Sequence, residues 1–328
     1  MNKRERLERT IAGEMTDRTP VALWRHFPGD DIRSADLAQA ILHDQRTFEW
    51  DIVNIMPASS YQVTDYGLRD DWIGSVDGVR ASAQYPVTRS LGWTELRSLD
   101  AQRGSLQRAT DCTRLVTEAL SDTPVLLTIY SPLLQAEMLA GRPVLMRHLR
   151  TQPDRLKSGL STLTENIVRY LDALRKLALA GICYVIAHAD YEIMAEDEYR
   201  NFGFAYDRRI LDSLPQKWWL NLVRLTASAP MFRLICSLPT QGIQWRDQEV
   251  EPDITLGKSL SIGAVCGGLA SERDLYRGTP TSIRDVARDS MQRVNQRRLI
   301  LSSGSPLWLA SPYSNLRAAR EVVEPAGI

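Results

Sequence analysis

Pro124-Val125-Leu126-Leu127-Thr128-Ile129-Tyr130 is an almost wholly apolar run. It is too short for a buried helix and lacks the polar–apolar alternation of a half-exposed strand. Such a run reads as a strand covered on both faces, the kind found in parallel sheets. Parallel neighbours cannot be joined by a tight turn; they need a crossover, usually a helix. The flanking sequence supplies one on each side. Leu106–Leu120 has helical spacing before the run. After it come Leu133–Ala140, Pro143–Arg150 and a long helix from about Pro153 to Ala180. Gly181 stops that helix, and Ile182–Ala187 is a second buried strand.

The same alternation extends outward. Toward the N-terminus, a helix over Arg4–Glu14 precedes a strand at Val21–Trp24. A helix opened by Asp36 runs to Phe48, and a strand follows at Asp51–Met56. Asp77-Gly78 between Trp72–Val76 and Val79–Val87 is a hairpin signal. Toward the C-terminus, a helix over Glu196–Leu214 leads to strands at Trp218–Leu225, Gly242–Trp245 and Ile262–Cys266. A helix over Ile283–Gln296, a strand at Leu299–Leu301 and a helix over Ser314–Val323 end the chain. About eight strands alternating with helices predict an α/β fold, and eight right-handed units close into a (β/α)8 TIM-type barrel. The rival, an open doubly wound sheet, would carry a glycine-rich fingerprint after its first strand, which is absent here. With no repeat, linker or low-complexity tract, one domain over residues 1–328 is expected.

The bulk numbers agree. A barrel needs about 250 residues plus insertions, and the chain has 328. Lys+Arg and Asp+Glu are 40 each, so the basic excess of a nucleic-acid binder is missing. Cys112, Cys183, Cys236 and Cys266 form no CxxC pair and sit among apolar residues, as buried reduced thiols do. The charged start Met1–Arg6 is no signal peptide, and no apolar stretch is long enough to span a bilayer. A cytoplasmic location with no membrane contact is expected.

Five segments, in order, resemble the uroporphyrinogen decarboxylase superfamily, which includes corrinoid methyltransferases. They are Gly13-Glu14-Met15-Thr16-Asp17-Arg18-Thr19-Pro20-Val21; Tyr130-Ser131-Pro132-Leu133 with Ala140-Gly141; and Ala180-Gly181 before a strand. The last two are Cys266-Gly267-Gly268-Leu269 with Arg277-Gly278-Thr279-Pro280, and Ser302-Ser303-Gly304-Ser305 with Ser311-Pro312 and Asn315-Leu316. The resemblance spans nearly the whole chain as a divergent member. It implies a (β/α)8 barrel, a pocket at the strand C-termini and a homodimer.

For the decarboxylase branch, the resemblance implies cofactor-free decarboxylation of an anionic tetrapyrrole-type substrate held by arginines. Arg25 matches the first arginine of the family's R-Q-A-G-R element; the second falls near Gly29. The family's aspartate falls near Ala58, its tyrosine near Met138 and its C-terminal histidine at Ser305. For the methyltransferase branch, it implies a zinc site whose ligands align with Arg224, Thr226 and Ser305. An arginine stays protonated and hydroxyls are poor zinc ligands, so no metal site is expected. A corrinoid protein is then a partner only under a zinc-less methyl-transfer reading. A third reading is a catalytically degenerate barrel that binds a ligand or stabilises a partner.

Residues after strands are where barrels place their chemistry. His188-Ala189-Asp190-Tyr191 is the best polar cluster. His188 and Asp190 are the candidate catalytic pair, able to share protons, with Tyr191 beside them. Arg25 and His26 follow the first strand: Arg25 suits a carboxylate, and His26 titrates in the right range for acid–base work. Trp245-Arg246-Asp247 resembles the family's W-D element and would bind an anion through Arg246. Ser305, with Gly304, follows the last strand, in a loop of the kind that cradles anions. A small anionic substrate is the implied partner.

Overall fold

The computed structural model describes residues 1–324. Seven parallel strands form one curled sheet: β1 (Val53–Ile55), β4 (Val125–Tyr130), β5 (Gly181–Ile186), β6 (Leu222–Leu225), β7 (Gly242–Gln244), β8 (Ala264–Leu269) and β9 (Leu299–Ser303), neighbours in that order. Between β1 and β4, β2 (Arg69–Asp71) and β3 (Ala81–Gln84) make an antiparallel hairpin. The buried runs that announced β4 and β5 are fully buried along their length.

The expected first strand, Val21–Trp24, contributes a single bridge. Ala22 N–H donates to Leu301 O (3.0 Å) and Leu301 N–H to Pro20 O (2.8 Å), while Asp51 N–H donates to Val21 O (2.9 Å). This extended segment therefore touches the β9 edge on one side and the lead into β1 on the other. Asp51 fixes the joint. Its fully buried carboxylate accepts from Arg6 (2.7 Å), from both terminal nitrogens of Arg18 (2.7 and 3.0 Å) and from Val21 N–H (2.8 Å).

Alternation divides the apolar residues into two cores. One set packs between the sheet and the helices, including Val21, Val53, Leu127, Val223, Ile243 and Leu301. The other lies on the concave side, with Ala22, Trp24, Ile52, Met56, Leu126, Cys183, Leu222, Cys266 and Ile300. The period of two along each strand thus sends alternate residues to opposite faces.

Several boundaries depart from expectation. Trp72–Val76 is not a strand; the hairpin strands lie outside it, and Asp77-Gly78 sits in a long connection. The long helix that begins at Pro153 ends at Leu174, not Ala180. The helix over Glu196–Asp212 is interrupted by a π-turn at Arg200–Phe204, where a β-carbon on Gly203 would fall 2.2 Å from the Tyr199 ring. Helices at Phe232–Ile235 and Ile254–Leu260 carry too short a periodicity to stand out in the sequence. No described helix is long and apolar enough to cross a membrane.

Candidate active site

The strand-end residues singled out from the sequence do not converge. His188 is buried, but its Nε2 meets Glu137 (2.7 Å), on the helix Pro132–Ala140, rather than Asp190. Burial raises the Glu137 carboxyl; hydrogen bonds and charge from His188 and Arg142 outweigh it and bring the pKa down to about 2. Asp190 is turned onto backbone, accepting from Ser228 N–H (2.7 Å), Ala229 N–H (3.1 Å) and Glu192 N–H (2.9 Å). It ties the loop after β5 to the loop after β6. The expected proton-sharing pair is therefore corrected: each member has its own structural partner. Tyr191 is 56% exposed and donates to Glu196 (2.6 Å) on the outer surface.

Arg25 points to the helix side, where its Nη2 bonds Asp44 Oδ1 at 2.5 Å between the rings of Phe27 and Tyr313. The parity of the extended segment explains this, because Ala22 and Trp24 face the concave side and Arg25 the other. Trp245 likewise faces outward, packed on Phe232 and donating to Pro252 O (2.7 Å). Arg246 is shared among Glu249, Ala227 O and Ser228 at 3.3–3.4 Å. Asp247 does not pair with it. Its carboxylate accepts from Gly268 N–H (3.1 Å) and Gln248 (2.7 Å), and burial pushes its pKa up to about 6. Ser305 contributes its carbonyl, which accepts from Ser271 and Ser303 (3.0 and 2.7 Å).

His26 does face inward, two residues after Trp24. It is 1% exposed, and neither ring nitrogen makes a well-formed hydrogen bond. Burial and the charges of Arg224 and Arg80 drive its pKa down to about 3, more than the Pro57 carbonyl can offset. It is a neutral ring at ordinary pH, not an acid.

Around it lies a cluster that the sequence reading did not assemble. Register puts Tyr130, Val185, Arg224, Gln244 and Cys266 in one row across β4 to β8. Leu222 and Cys266 belong to the concave core, so alternation turns Arg224 and Gln244 the same way. Asn54 stands between Ile52 and Met56 on that face, its Oδ1 accepting from Thr128 (3.1 Å). Trp24 Nε1, both His26 nitrogens, Asn54 Nδ2, Tyr130 Oη, Arg224 Nε and Nη1, and Gln244 Oε1 are all buried and make no well-formed hydrogen bond within the protein. Buried polar atoms are ordinarily satisfied, and leaving one unpaired costs about 1–3 kcal/mol. Six such side chains share one concave face near the C-terminal ends of the parallel strands, the end where barrels place their binding sites.

The hairpin covers this place. A β-carbon at Gly78 (φ +80°) would fall 2.7 Å from His26 Cβ. Val76 O accepts from Leu309 N–H (2.8 Å), and Arg80 forks onto Asp31 at 2.6 and 3.1 Å. Gly78→Ala is expected to cost about 1–3 kcal/mol, part from left-handed backbone and part from this contact. Gly74→Ala (φ +94°, nothing within 4 Å) carries only the backbone part. In limited proteolysis, Gly78→Ala should be cut in the 72–80 loop faster than Gly74→Ala; equal rates would mean the seat on His26 does not hold the hairpin.

A zinc ion does not fit. Among the described residues no three His, Cys, Asp or Glu side chains converge, and the positions that the resemblance implies for zinc ligands hold Arg224, Thr226 and Ser305.

The fold is shared with solved structures. A methyltransferase from Methanosarcina mazei superposes with a TM-score of 0.85 at 17% identity, covering 98% of each chain. A B12-independent methionine synthase from Shewanella sp. W3-18-1 gives 0.59 at 14% identity, covering 93% of this chain and 92% of the other. No curated protein matches in sequence. The family model described as uroporphyrinogen decarboxylase (URO-D) matches residues 38–325, most of the length. The chain belongs to the uroporphyrinogen decarboxylase family.

Proposed function

We propose that this chain is an enzyme whose substrate binds on the concave face at the strand C-termini, within a barrel closed by the Val21 segment as an eighth strand. The reaction is transfer of a methyl group between a small anionic molecule and a corrinoid carried by a partner protein, without zinc. The observation that carries the location is the set of six inward side chains with buried, unpartnered polar atoms.

Decarboxylation fits the residues less well. Once carbon dioxide leaves, the electron pair on carbon must be held and then protonated. Burial and the charges of Arg224 and Arg80 hold the His26 pKa down at about 3, and Asp247, a buried carboxyl near the strand ends, is turned onto Gly268. Arg25, the matching decarboxylase anchor, is held by Asp44 on the helix side. Solved methyl-transfer proteins share the fold, which is consistent with the methyl-transfer reading and does not by itself select it.

The test is a panel of methylated small carboxylic acids incubated with the chain and cob(I)alamin, followed by the methylcobalamin spectrum, beside a uroporphyrinogen arm. Methyl transfer that falls by about a hundredfold or more in Arg224→Gln supports the reading, in line with loss of a charge-anchored substrate contact. Porphyrinogen turnover in place of methyl transfer would return the chain to the decarboxylases. Binding without either reaction would make it a ligand-binding barrel.

A further inference from the structure

Arg224 sits in the middle of a fully buried strand and is 5% exposed. Its Nε and Nη1 have no hydrogen-bond partner, and it forms no ion pair among the described residues. An arginine cannot shed its charge as a buried lysine can. A buried unpaired ion is among the costliest features a fold can carry. Among the described residues every other deeply buried arginine is matched: Arg6 and Arg18 by Asp51, Arg25 by Asp44 and Arg80 by Asp31. Gln244 neighbours Arg224 in register, yet its Nε2 is committed to Ser303 O (2.5 Å) and its free Oε1 takes no guanidinium N–H.

The surroundings set the charge of a ligand that would fit here. His26 is neutral, Tyr130 holds its proton, and Arg80 is neutralised by Asp31. Asp77 of the covering hairpin acts on Tyr130 through its charge but does not pair with Arg224, so the Arg224 guanidinium is left without an ion pair among the described residues. We propose that Arg224 is the anchor for the carboxylate of a small monoanionic ligand, seated against Tyr130, Gln244 and His26. This deepens the reading above and rests on its placement of the substrate. A planar guanidinium matches a carboxylate bidentately, and the Tyr130 hydroxyl is free to donate alongside it. A doubly charged phosphate would leave a negative charge unmatched in the same place.

The experiment compares melting temperatures of the full chain and of Arg224→Met in carboxylate-free buffer. Each is then titrated with acetate, butyrate and benzoate, with butyramide and methyl phosphate as controls at matched ionic strength. Wild type should rise saturably with at least one monocarboxylate and not with butyramide. Arg224→Met, relieved of an unpaired buried charge, should melt about 2–8 °C above the ligand-free wild type and ignore the carboxylates. A lower melting temperature for Arg224→Met, an undiminished response in it, no response in wild type, or stronger stabilisation by methyl phosphate overturns the assignment. Carboxylate binding that depends on Arg224 alongside a silent methyl-transfer assay would remove the reaction and keep the anchor. Methyl transfer untouched by Arg224→Met would do the reverse.

Discussion

Replacing Asp51 with alanine is expected to cost about 3–5 kcal/mol, enough to leave much of the chain unfolded at physiological temperature. The fully buried carboxylate receives four hydrogen bonds from three residues: Arg6 on the first helix, Arg18, and the backbone of Val21. Arg6 keeps Asp17 (2.8 Å) and Arg18 keeps Glu324 (3.4 Å) as partial partners, but both guanidiniums are buried and would face each other across an empty place. Breaking a buried pair from one side is far worse than never having had it. The loss also reaches the sheet, because Val21 is where the extended N-terminal segment meets β9. Urea unfolding would report it. Asp51→Asn, which keeps two polar atoms but not the charge, should lie between alanine and wild type. A loss below about 1 kcal/mol in the alanine variant would show that the joint is held by the apolar contacts of Val21 and Leu23 instead.

The second large effect is on pH dependence. Asp207, on the helix segment after the π-turn, is fully buried and accepts from the hydroxyls of Tyr184 (2.7 Å) and Tyr199. Burial outweighs those two bonds and raises its pKa to about 7. The folded chain therefore holds this proton over a range where the unfolded chain, with a carboxyl near pH 4, has lost it. Stability contributed by the neutral form is fully present below about pH 4 and is lost as pH rises through about 7. At 1.36 kcal/mol per pH unit the window is worth on the order of 4 kcal/mol. Asp207→Asn keeps the shape without the ionisation. Its stability, relative to wild type, should rise steadily from pH 4 to pH 7 and then level off. Parallel curves for the two proteins would mean the carboxylate is already ionised at pH 4 and the tyrosines carry it.

How much of this was legible follows from what each signal depends on. Buried strands announce themselves by composition alone, so β4, β5 and the alternation around them could be read directly from Val125–Tyr130 and Gly181–Ile186. The Val21 strand shrank to one bridge because its hydrogen bonds go to residues at opposite ends of the chain, a pairing that no local pattern encodes. Polar loops after strands are where sequence points to site residues, and there Asp190 and Asp247 bind backbone N–H groups. Apart from Trp24 and His26, the residues that do gather lie inside strands. Asn54 in Ile52–Met56, Arg224 in Leu222–Leu225 and Gln244 in Gly242–Trp245 are polar side chains in otherwise apolar runs. That interruption was the available signal, and parity with Leu222 and Ile52 would have shown which face they share. Their convergence depended on register, which requires the fold. The helix-side fate of Arg25 needed only the parity of one segment, but that parity is set by the bridge at Val21.

The most direct test of the central claim, that the concave face at the strand ends is the substrate site, is an anomalous-scattering map from a crystal soaked in para-bromobenzoate. A bromine peak inside the curled sheet, with carboxylate density against Arg224 and Tyr130, is the expected result. Bromine density confined to the outer surface, at Arg25 and Tyr313 or beside Tyr191, with the guanidinium of Arg224 contacting nothing, would contradict it.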